Sequence, residues 1–490
     1  MMHYKYFPIL LLAILLYGCN EEQSQHKVVE VEKTTEVVNV PGCKNCHAEI
    51  SLAPRHAFAC TDCHRGNNEV AGKTEAHRNL VAKPASPEHM AATCGKCHPE
   101  QVKNCGSSLH FTLKNAVNLT RTHFGAETTL QTLTQIPQSG ENSKLALVDD
   151  MLRRRCLRCH VYSSGDDYAY ITRGKGCAAC HLQFSGGRLQ DHTFIQAPGD
   201  GQCISCHYGN HVGADYYGQY EHDFNWEYRT PYTTTEPFVR PYGVEVHDLV
   251  PDIHQQKGLI CIDCHSGNSL KNTARKITCL TCHGWKPGLV KPAEKNLTIT
   301  NDALVLTDRS GQTHVVSPMH HPAHAKYGKE VACQVCHGQW SFNDAPTYLL
   351  RNASDDFDAM ERLTVQSSSW VETLLEHNLN SDEEEIDPVM ADGITGRTRP
   401  GVWYLGYGQR RWEDMIIDRD TDGIIKVFRP ILDLHLSAVD ENESLLFDNL
   451  TGKGSGLLPY TPHTTGPAGL FYLNRFQHLL NNTAPEPATP

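Results

Sequence analysis

One short pattern, Cys-x-x-Cys-His, occurs nine times in this chain and constrains its fold more than any other feature. The copies are Cys43-Cys46-His47, Cys60-Cys63-His64, Cys94-Cys97-His98, Cys156-Cys159-His160, Cys177-Cys180-His181, Cys203-Cys206-His207, Cys261-Cys264-His265, Cys279-Cys282-His283 and Cys333-Cys336-His337. A CxxC pair followed at once by His attaches haem c: two thioether bonds hold the porphyrin, and the imidazole binds the iron.

Zinc ribbons are the alternative interpretation of these motifs, since CxxC pairs also bind zinc. Zinc does not require His directly after the second Cys, however. With 29 His in 490 residues, nine such neighbours arise by chance about once in 10¹¹ sequences. We therefore predict nine covalently bound haem c groups, each with one iron.

Two of the 20 cysteines lie outside the motifs. Cys19 ends a leader whose apolar run, residues 7–16, is too short to span a membrane and is typical of a secretory signal peptide. Leu16-Tyr17-Gly18-Cys19 resembles the lipobox of bacterial lipoproteins, which implies lipidation of Cys19. Asn20 then implies the outer membrane, on its periplasmic side or at the cell surface. An ordinary signal peptide with an incidental cysteine is the alternative.

The remaining cysteine, Cys105, has no partner within the motif pattern. In an exported protein, such a thiol is either buried and inert or free to pair with another molecule. We expect it to be buried, because unpaired cysteine behaves as a small hydrophobic residue.

The motif positions divide the chain into four parts. Residues 1–19 form the predicted signal peptide, and the charged residues 20–42 a flexible tether. Residues 43–340 lack long apolar periodicity, so we predict a mainly α-helical and irregular multihaem cytochrome c domain with the haems as its core. Residues 341–490 contain no Cys and form a haem-free C-terminal region with some β-hairpin structure. Short steps between motifs group the haems as 1–2–3, 4–5–6 and 7–8–9.

A hairpin is predicted over residues 412–428, where two apolar runs flank a turn. Asp418, Asp420, Asp422 and Gly423 also match the start of a calcium loop. Arg429 stands where that loop needs Glu. The plain hairpin turn is therefore the favoured interpretation.

Each haem iron has a second axial position, whose ligand decides whether the haem carries electrons or binds a substrate. Subtracting the nine motif histidines from 29 leaves 20, and His3 is lost with the signal peptide, so 19 candidates remain for nine positions. Their positions relative to the motifs favour nine as distal ligands: His56, His77, His110, His192, His211, His247, His254, His321 and His324. We expect another four to contact haem propionates or ligands: His89, His123, His222 and His320.

The chain is acidic, and this limits its partners. The formal net charge of −12 does not include haem propionates, so nucleic acid is excluded, whereas a basic docking protein or a cationic or mineral acceptor is favoured. The fourth motif is surrounded by Arg153, Arg154, Arg155 and Arg158. These arginines either pair with haem propionates or form a solvated basic patch.

Two segments carry a family resemblance. Cys94-Gly-Lys-Cys-His-Pro-Glu100 precedes Ser108-Leu-His110, and Ile253-His-Gln-Gln-Lys-Gly258 precedes Cys261-Ile-Asp-Cys-His265. Both arrangements resemble large dissimilatory multihaem c-type cytochromes of anaerobic bacteria, over roughly residues 43–340. The resemblance implies low-spin haems with two His ligands and respiratory electron transfer. In some relatives, a segment like Pro462-His-Thr-Thr465 precedes a further motif; here none follows, so His463 either ligates a haem from a distance or is a relic.

The favoured function is a membrane-anchored electron conduit whose partners are redox proteins, either other cytochromes or an outer-membrane complex. The alternative is a multihaem reductase of nitrite, hydroxylamine, tetrathionate or a similar oxyanion, which needs an open iron position. Some such enzymes replace one motif His by Lys, and none of these nine motifs does so. The C-terminal region is a candidate docking surface for a partner.

Overall fold

The computed structural model describes residues 42–138, 143–167, 173–185, 188–207, 212–222, 245–265, 277–341, 347–360, 368–406 and 415–480. Short helices dominate around the motifs, and strands dominate after residue 346. Within these ranges, no helix has both the length and the apolar character needed to cross a membrane. The leader, Cys19 and the tether lie outside the described residues.

Most helices are one or two turns long. The α-helices are Cys43–Cys46, Cys60–His64, Lys73–Ala76, Pro99–Gly106, Leu109–Thr112, Lys114–His123, Lys144–Met151, Ala178–His181, Asp200–His207, Val212–Tyr216, Ile253–Gln256, Cys261–Cys264, Cys279–His283, Pro322–Tyr327, Cys333–His337, Ser369–Asn380 and Gln477–Leu480. Single 3₁₀ turns are Pro54–His56, Cys94–Lys96, Leu133–Gln135, Leu157–Cys159, Asp358–Met360 and Tyr472–Arg475, and Leu152–Cys156 is a π-helical turn.

The strands are β1 Phe184–Ser185, β2 Arg188–Leu189, β3 Gln219–His222, β4 Glu245–Asp248, β5 Leu297–Thr300, β6 Ala303–Thr307, β7 Thr313–Val315, β8 Thr347–Asn352, β9 Val389–Ala391, β10 Thr398–Pro400, β11 Val402–Leu405, β12 Ile416–Arg419, β13 Ile425–Arg429, β14 Leu434–Val439, β15 Leu445–Thr451 and β16 Leu458–Pro459. The widest sheet has the order β11-β8-β14-β15, with β8 and β14 parallel. Three-stranded sheets are β12-β13-β16 and β5-β6-β7, and the pairs β1-β2, β3-β4 and β9-β10 are antiparallel.

Strands β12 and β13 pair as an antiparallel hairpin within the stretch where the sequence predicts one. The Lys426 ammonium donates to carboxylate oxygens of Asp420 and Asp422, at 2.6 and 2.5 Å. These hydrogen bonds lower the pKa of both carboxyl groups. A lysine charge therefore lies where a calcium ion would have to bind.

The largest hydrophobic core joins two distant parts of the chain. Leu147 and Met151, shortly before the fourth motif, pack in one buried cluster with Leu375, Trp403 and Leu436 of the cysteine-free region. The other buried clusters in the described residues contain only three to five hydrophobic side chains each. The motif-rich part thus has little aliphatic core of its own, whereas the region after residue 346 shares a large one with the segment before motif 4.

Buried ion pairs reinforce this junction. Arg153 donates to both carboxylate oxygens of Asp392, at 2.5 and 3.1 Å. Asp150 accepts hydrogen bonds from Arg154 at 2.7 Å and from the Trp403 indole at 2.8 Å. Neither a solvated basic patch nor pairing with haem propionates describes these two arginines, because both are buried and paired with the carboxylates of Asp392 and Asp150.

Candidate haem sites

The motifs are positioned by single helical turns. In Cys60–His64, Cys279–His283 and Cys333–His337, the whole motif is one short helix. Residues three and four apart lie on the same face of a helix, so both thiols and the imidazole face the same side. Acidic residues help to close two of the motif helices. In Cys60–His64, Asp62 accepts the backbone N–H of Ala59 at 3.0 Å. In Cys261–Cys264, Asp263 accepts the backbone N–H of Ile260 at 2.8 Å.

Seven of the nine motif histidines lie beside a second histidine ring. The ring-centroid distances are 6.1 Å for His47–His77, 6.3 Å for His98–His56, 6.0 Å for His64–His192, 6.4 Å for His207–His110, 6.4 Å for His265–His463, 6.0 Å for His283–His254 and 6.0 Å for His337–His324. Each pair joins one motif to a histidine from another part of the chain.

This spacing fits one metal ion between each pair of rings. An imidazole nitrogen lies about 1.1 Å from its ring centroid and about 2.0 Å from a bound transition metal, so two rings on opposite sides of one ion have centroids about 6.2 Å apart. The observed distances run from 6.0 to 6.4 Å. Ring pairs that cannot share a metal occur at the same separation, as His56 and Phe58 do at 6.3 Å, so the distance is compatible with a shared iron and the distinguishing feature is that both rings are imidazoles. The residues present therefore fit haem iron held by two imidazoles, which would supply one-electron redox chemistry.

Hydrogen bonds set the orientation of the motif rings. Nδ1 of four of these histidines lies 2.8 to 3.0 Å from a backbone carbonyl oxygen: His64 with Val81, His181 with Ile195, His283 with Ser317 and His337 with Gly466. A carbonyl only accepts, so Nδ1 carries the proton and Nε2 keeps its lone pair for a metal.

The environment of the distal histidines also favours metal binding. Burial lowers the pKa of five of them and so favours the neutral imidazole: His56, His110, His192, His324 and His463. His254 differs, since a hydrogen bond to Asp252 raises its pKa. That bond, 2.8 Å from Nδ1, leaves Nε2 free for metal.

Six of the nine histidines that the sequence favours as distal ligands lie in these pairs: His56, His77, His110, His192, His254 and His324. The remaining three are not placed beside a motif histidine. His211 and the side chain of His247 lie outside the described residues. His321 caps the helix Pro322–Tyr327, where its Nδ1 accepts the Ala323 N–H at 3.2 Å.

The seventh distal residue, His463, comes from the C-terminal region. One carboxylate holds its segment in place: Asp252 accepts from the Thr465 N–H at 2.7 Å, from the Thr465 hydroxyl at 2.6 Å and from His254. Gly466 accepts from His337. Residues 462–466, which we call the PHTT segment, therefore contact the centres of motifs 7, 8 and 9. The only sequence signal for this role is the Pro-His-Thr-Thr stretch itself.

Motif cysteines that shift one another's pKa indicate which motifs are neighbours. Hydrogen-bonding interactions contribute to the pKa shifts in the pairs Cys43–Cys60, Cys94–Cys177, Cys203–Cys261 and Cys279–Cys333, and longer-range electrostatic interactions contribute in the pairs Cys63–Cys94, Cys180–Cys203 and Cys264–Cys282. The centres thus follow the order 1-2-3-5-6-7-8-9. Motif 4 adjoins motif 6 from the side, through Cys159 and Cys206.

Cys105, the cysteine outside the motifs that the structure describes, is half-buried. It packs against the cluster of Met90, Phe111, Val161 and Ala179, beside the motif cysteines Cys94 and Cys177. It therefore belongs to the contact between motifs 3 and 5.

The described residues also contain a group of three side chains that could bind a metal ion other than haem iron. Asp200, Cys203 and Cys261 bring ligand atoms within 4.8 Å of one another. Thioether formation would occupy both sulfur atoms, and Asp200 already accepts the Cys261 N–H at 3.0 Å. Haem attachment and a separate metal ion at this group are therefore mutually exclusive.

Comparisons with known protein families, curated proteins and solved structures give no match for this chain. Its function therefore has to be argued from the motifs and their geometry.

Proposed function

We propose that the protein is an exported, lipid-anchored nonahaem c-type cytochrome that conducts electrons in anaerobic respiration or extracellular electron transfer. The observation that carries this proposal is the set of seven His–His pairs, whose ring-centroid distances of 6.0 to 6.4 Å fit one iron each. Iron held by two imidazoles needs little rearrangement between its two oxidation states. Such centres favour electron transfer over substrate binding.

The neighbour order supports a continuous path. Eight motifs follow one another from motif 1 to motif 9, and a cysteine of each influences the pKa of a cysteine of the next. Motif 5 belongs to this path, and His211 and His247 remain candidates for its distal ligand. The protein then supplies position, ligands and burial, which tune the potential of each centre.

The lipid anchor and the net charge indicate which partners exchange electrons with the protein. Lipidation of Cys19 anchors the protein to the outer membrane, and redox proteins such as other cytochromes or an outer-membrane complex exchange electrons with it. The net charge of −12 favours partners with basic surfaces and disfavours nucleic acid.

Reduction of nitrite, hydroxylamine, tetrathionate or a similar oxyanion is the second candidate function. One observation favours it: Cys159 of motif 4 interacts electrostatically with Cys206 of motif 6, which already has motifs 5 and 7 as neighbours. A haem at motif 4 would receive electrons from the haem of motif 6, while transfer along the other eight haems continues.

Electron injection at one end of the path tests the proposed function. Leu470 is 94% exposed and follows shortly after Gly466, which contacts motif 9. A photoreductant attached at Leu470→Cys, in a Cys105→Ala background, delivers electrons there, and absorbance follows the reduction of the haems. Removing haem 3 with Cys94→Ala and Cys97→Ala should leave haems 1 and 2 oxidised in the fast phase.

The matched control removes haem 1 with Cys43→Ala and Cys46→Ala. Because motif 1 ends the path, every remaining haem on it should still be reduced in the fast phase. Equal reduction of haems 1 and 2 with and without haem 3 would contradict the proposed order. A haem content near zero in the wild-type protein would remove the proposal altogether.

A further inference from the structure

A hydrogen bond to a carboxylate distinguishes His254, the distal histidine of motif 8. Its Nδ1 lies 2.8 Å from Oδ1 of Asp252, and because an ionised carboxylate only accepts, Nδ1 donates. Nδ1 of the distal His463 lies instead 3.1 Å from the backbone carbonyl oxygen of Thr461. Backbone carbonyls are also the acceptors for four motif histidines, His64, His181, His283 and His337. His254 thus donates to a charged group, and these five histidines donate to neutral ones.

The chain builds this contact locally. Asp252 is the N-cap of the helix Ile253–Gln256, where its Oδ1 accepts the backbone N–H of His254 at 2.8 Å. Aspartate is among the residues that helices prefer at this position. The same oxygen therefore binds both the backbone and the ring of His254. This pair of hydrogen bonds orients the ring beside His283, with the ring centroids 6.0 Å apart, and keeps Nε2 for metal.

The C-terminal region holds the second oxygen of the same carboxylate. Oδ2 of Asp252 accepts from the Thr465 N–H at 2.7 Å and from the Thr465 hydroxyl at 2.6 Å. In return, the carbonyl oxygen of Thr465 accepts the backbone N–H of Ile253 at 2.8 Å. Asp252 is 2% exposed, so these hydrogen bonds stabilise its charge in place of water.

A carboxylate partner changes the electronic character of an iron ligand. It makes the donating imidazole more basic, so the ring gives more electron density to the metal. Reduction adds one electron to Fe(III) and breaks no bond, and a more basic ligand stabilises Fe(III) over Fe(II). The reduction potential of such a centre is therefore lower than it would be with a neutral acceptor. His283, across the pair, donates to the neutral carbonyl of Ser317, so the charged acceptor is on the His254 side.

We propose that Asp252 sets the reduction potential of haem 8, the haem of motif 8, and lowers it through His254. Asp252 is a positioning residue, since it acts on the iron only through the imidazole. Because Thr465 holds Asp252 in place, the C-terminal region influences the potential of a centre to which it contributes no ligand. This inference rests on the proposed nonahaem conduit and assigns a role within it to a side chain that binds no haem.

Asp252→Asn in the full-length, haem-loaded protein tests this assignment. The asparagine keeps an oxygen that accepts from His254 but removes the negative charge. A redox titration followed by absorbance and electron paramagnetic resonance should show unchanged haem content and unchanged spin states. One haem should become easier to reduce, by on the order of tenfold in its equilibrium constant, which is about 59 mV for one electron. The low-spin ferric signal of that haem should shift as well.

A second variant and a matched control accompany it. Asp252→Ser also removes the charge, and because serine caps helices well it should raise the potential of the same haem without loss of the helix. Asp308→Asn is the control: this buried carboxylate accepts from Nε2 of His314 at the same distance, 2.8 Å, and His314 belongs to none of the seven ring pairs described above. The control should leave every potential unchanged.

Removal of haem 8 with Cys279→Ala and Cys282→Ala assigns the shift to one centre. In that background, Asp252→Asn should leave the eight remaining potentials unchanged. A shift that persists there, an equal shift in Asp308→Asn, or unchanged potentials in both Asp252 variants overturns the inference.

The same measurements separate this inference from the proposed conduit. If neither Asp252 variant changes a potential while electrons injected at Leu470→Cys reach haem 1, the conduit stands and the role of Asp252 falls. If the potential of haem 8 shifts but no electrons pass along the path, the role of Asp252 stands and the conduit falls.

Discussion

At the scale of single residues, the clearest feature is a histidine from the far end of the chain that lies beside a motif histidine. His463 lies 6.4 Å from His265, centroid to centroid, and comes from a region without any motif. His265 and His463 are close to parallel, with an angle of 27° between the ring planes. One pair of histidine rings thus joins the C-terminal region to motif 7.

Replacing His463 tests this assignment. His463→Ala should leave the haem content unchanged, because Cys261 and Cys264 still attach the haem. It should convert one haem from low spin to high spin, since its iron loses the second imidazole. Electron paramagnetic resonance of the oxidised variant measures this change.

His435→Ala is the control for this experiment. His435 lies in the same region, but its ring nitrogens contact Asn449 and Asp433, at 2.6 and 3.1 Å. Its removal should leave the spectrum unchanged. An unchanged spectrum in the His463 variant as well would rule out the assignment.

The sequence predicts these sites unevenly, for a physical reason. The thiols and the proximal His lie within one helical turn, so their spacing alone specifies them. A distal ligand is set by tertiary packing, and position along the chain is an indirect guide to it. His324 precedes motif 9 and lies beside its histidine, whereas His321 instead caps a helix and His463 is remote from motif 7 in sequence.

At the scale of elements, the junction between the helix Lys144–Met151 and the C-terminal strands depends on buried charges. Arg154 donates to Asp150 and also to the carbonyl oxygens of Arg399, Pro400 and Gly401. The sequence shows the arginine cluster, but not that distant carboxylates and carbonyls neutralise it. Sequence periodicity could not reveal this junction, because its partners lie far apart along the chain.

Asp392 gives this junction a dependence on pH. Burial raises the pKa of its carboxyl group, but hydrogen bonds from Arg153 and from the backbone N–H groups of Thr395 and Ile394 outweigh burial and leave the pKa below its usual value. The ionised form is therefore stabilised by folding. Its contribution is fully present above the unfolded pKa of about 3.9 and is lost as the pH falls through the folded value.

Asp392→Asn should lower the free energy of unfolding by about 3 kcal/mol near neutral pH, since Arg153 loses its charged partner while remaining buried. The difference from wild type should begin to shrink below about pH 4, where the unfolded chain becomes protonated, and should vanish once the pH falls below the lowered pKa of the folded carboxyl group. Thermal unfolding at a series of pH values measures both effects. The exposed Asp382→Asn is the control, and a gap that widens in acid would contradict the mechanism.

At the scale of the whole molecule, the cysteine-free region belongs to the haem-bearing part in two ways. Its strands share a core with the segment before motif 4. Its PHTT segment contacts motifs 7, 8 and 9 through His463, Asp252 and His337. Because residues 341–490 contain no Cys, the sequence predicts a separate region there. Amino-acid composition shows that no motif lies there, but it does not show which other parts of the chain the region contacts.

Truncation after Trp340 tests this integration. Removing residues 341–490 takes away His463, the Gly466 carbonyl that orients His337, and the Thr465 groups that bind Asp252. It also uncovers Leu147, Met151 and Leu157. Haem per protein should fall below nine or high-spin iron should increase, because centre 7 loses a ligand and centres 8 and 9 lose hydrogen bonds that hold their histidines.

The exposed core should also make the truncated protein bind a hydrophobic dye and aggregate. Truncation after Leu480 is the matched control, since it keeps every contact described above and should behave as the full chain does. A protein ending at Trp340 with nine haems, unchanged spin state and unchanged solubility would show that the C-terminal region only serves partners. The contacts of the PHTT segment argue against that outcome, because three centres depend on five consecutive residues that this truncation removes.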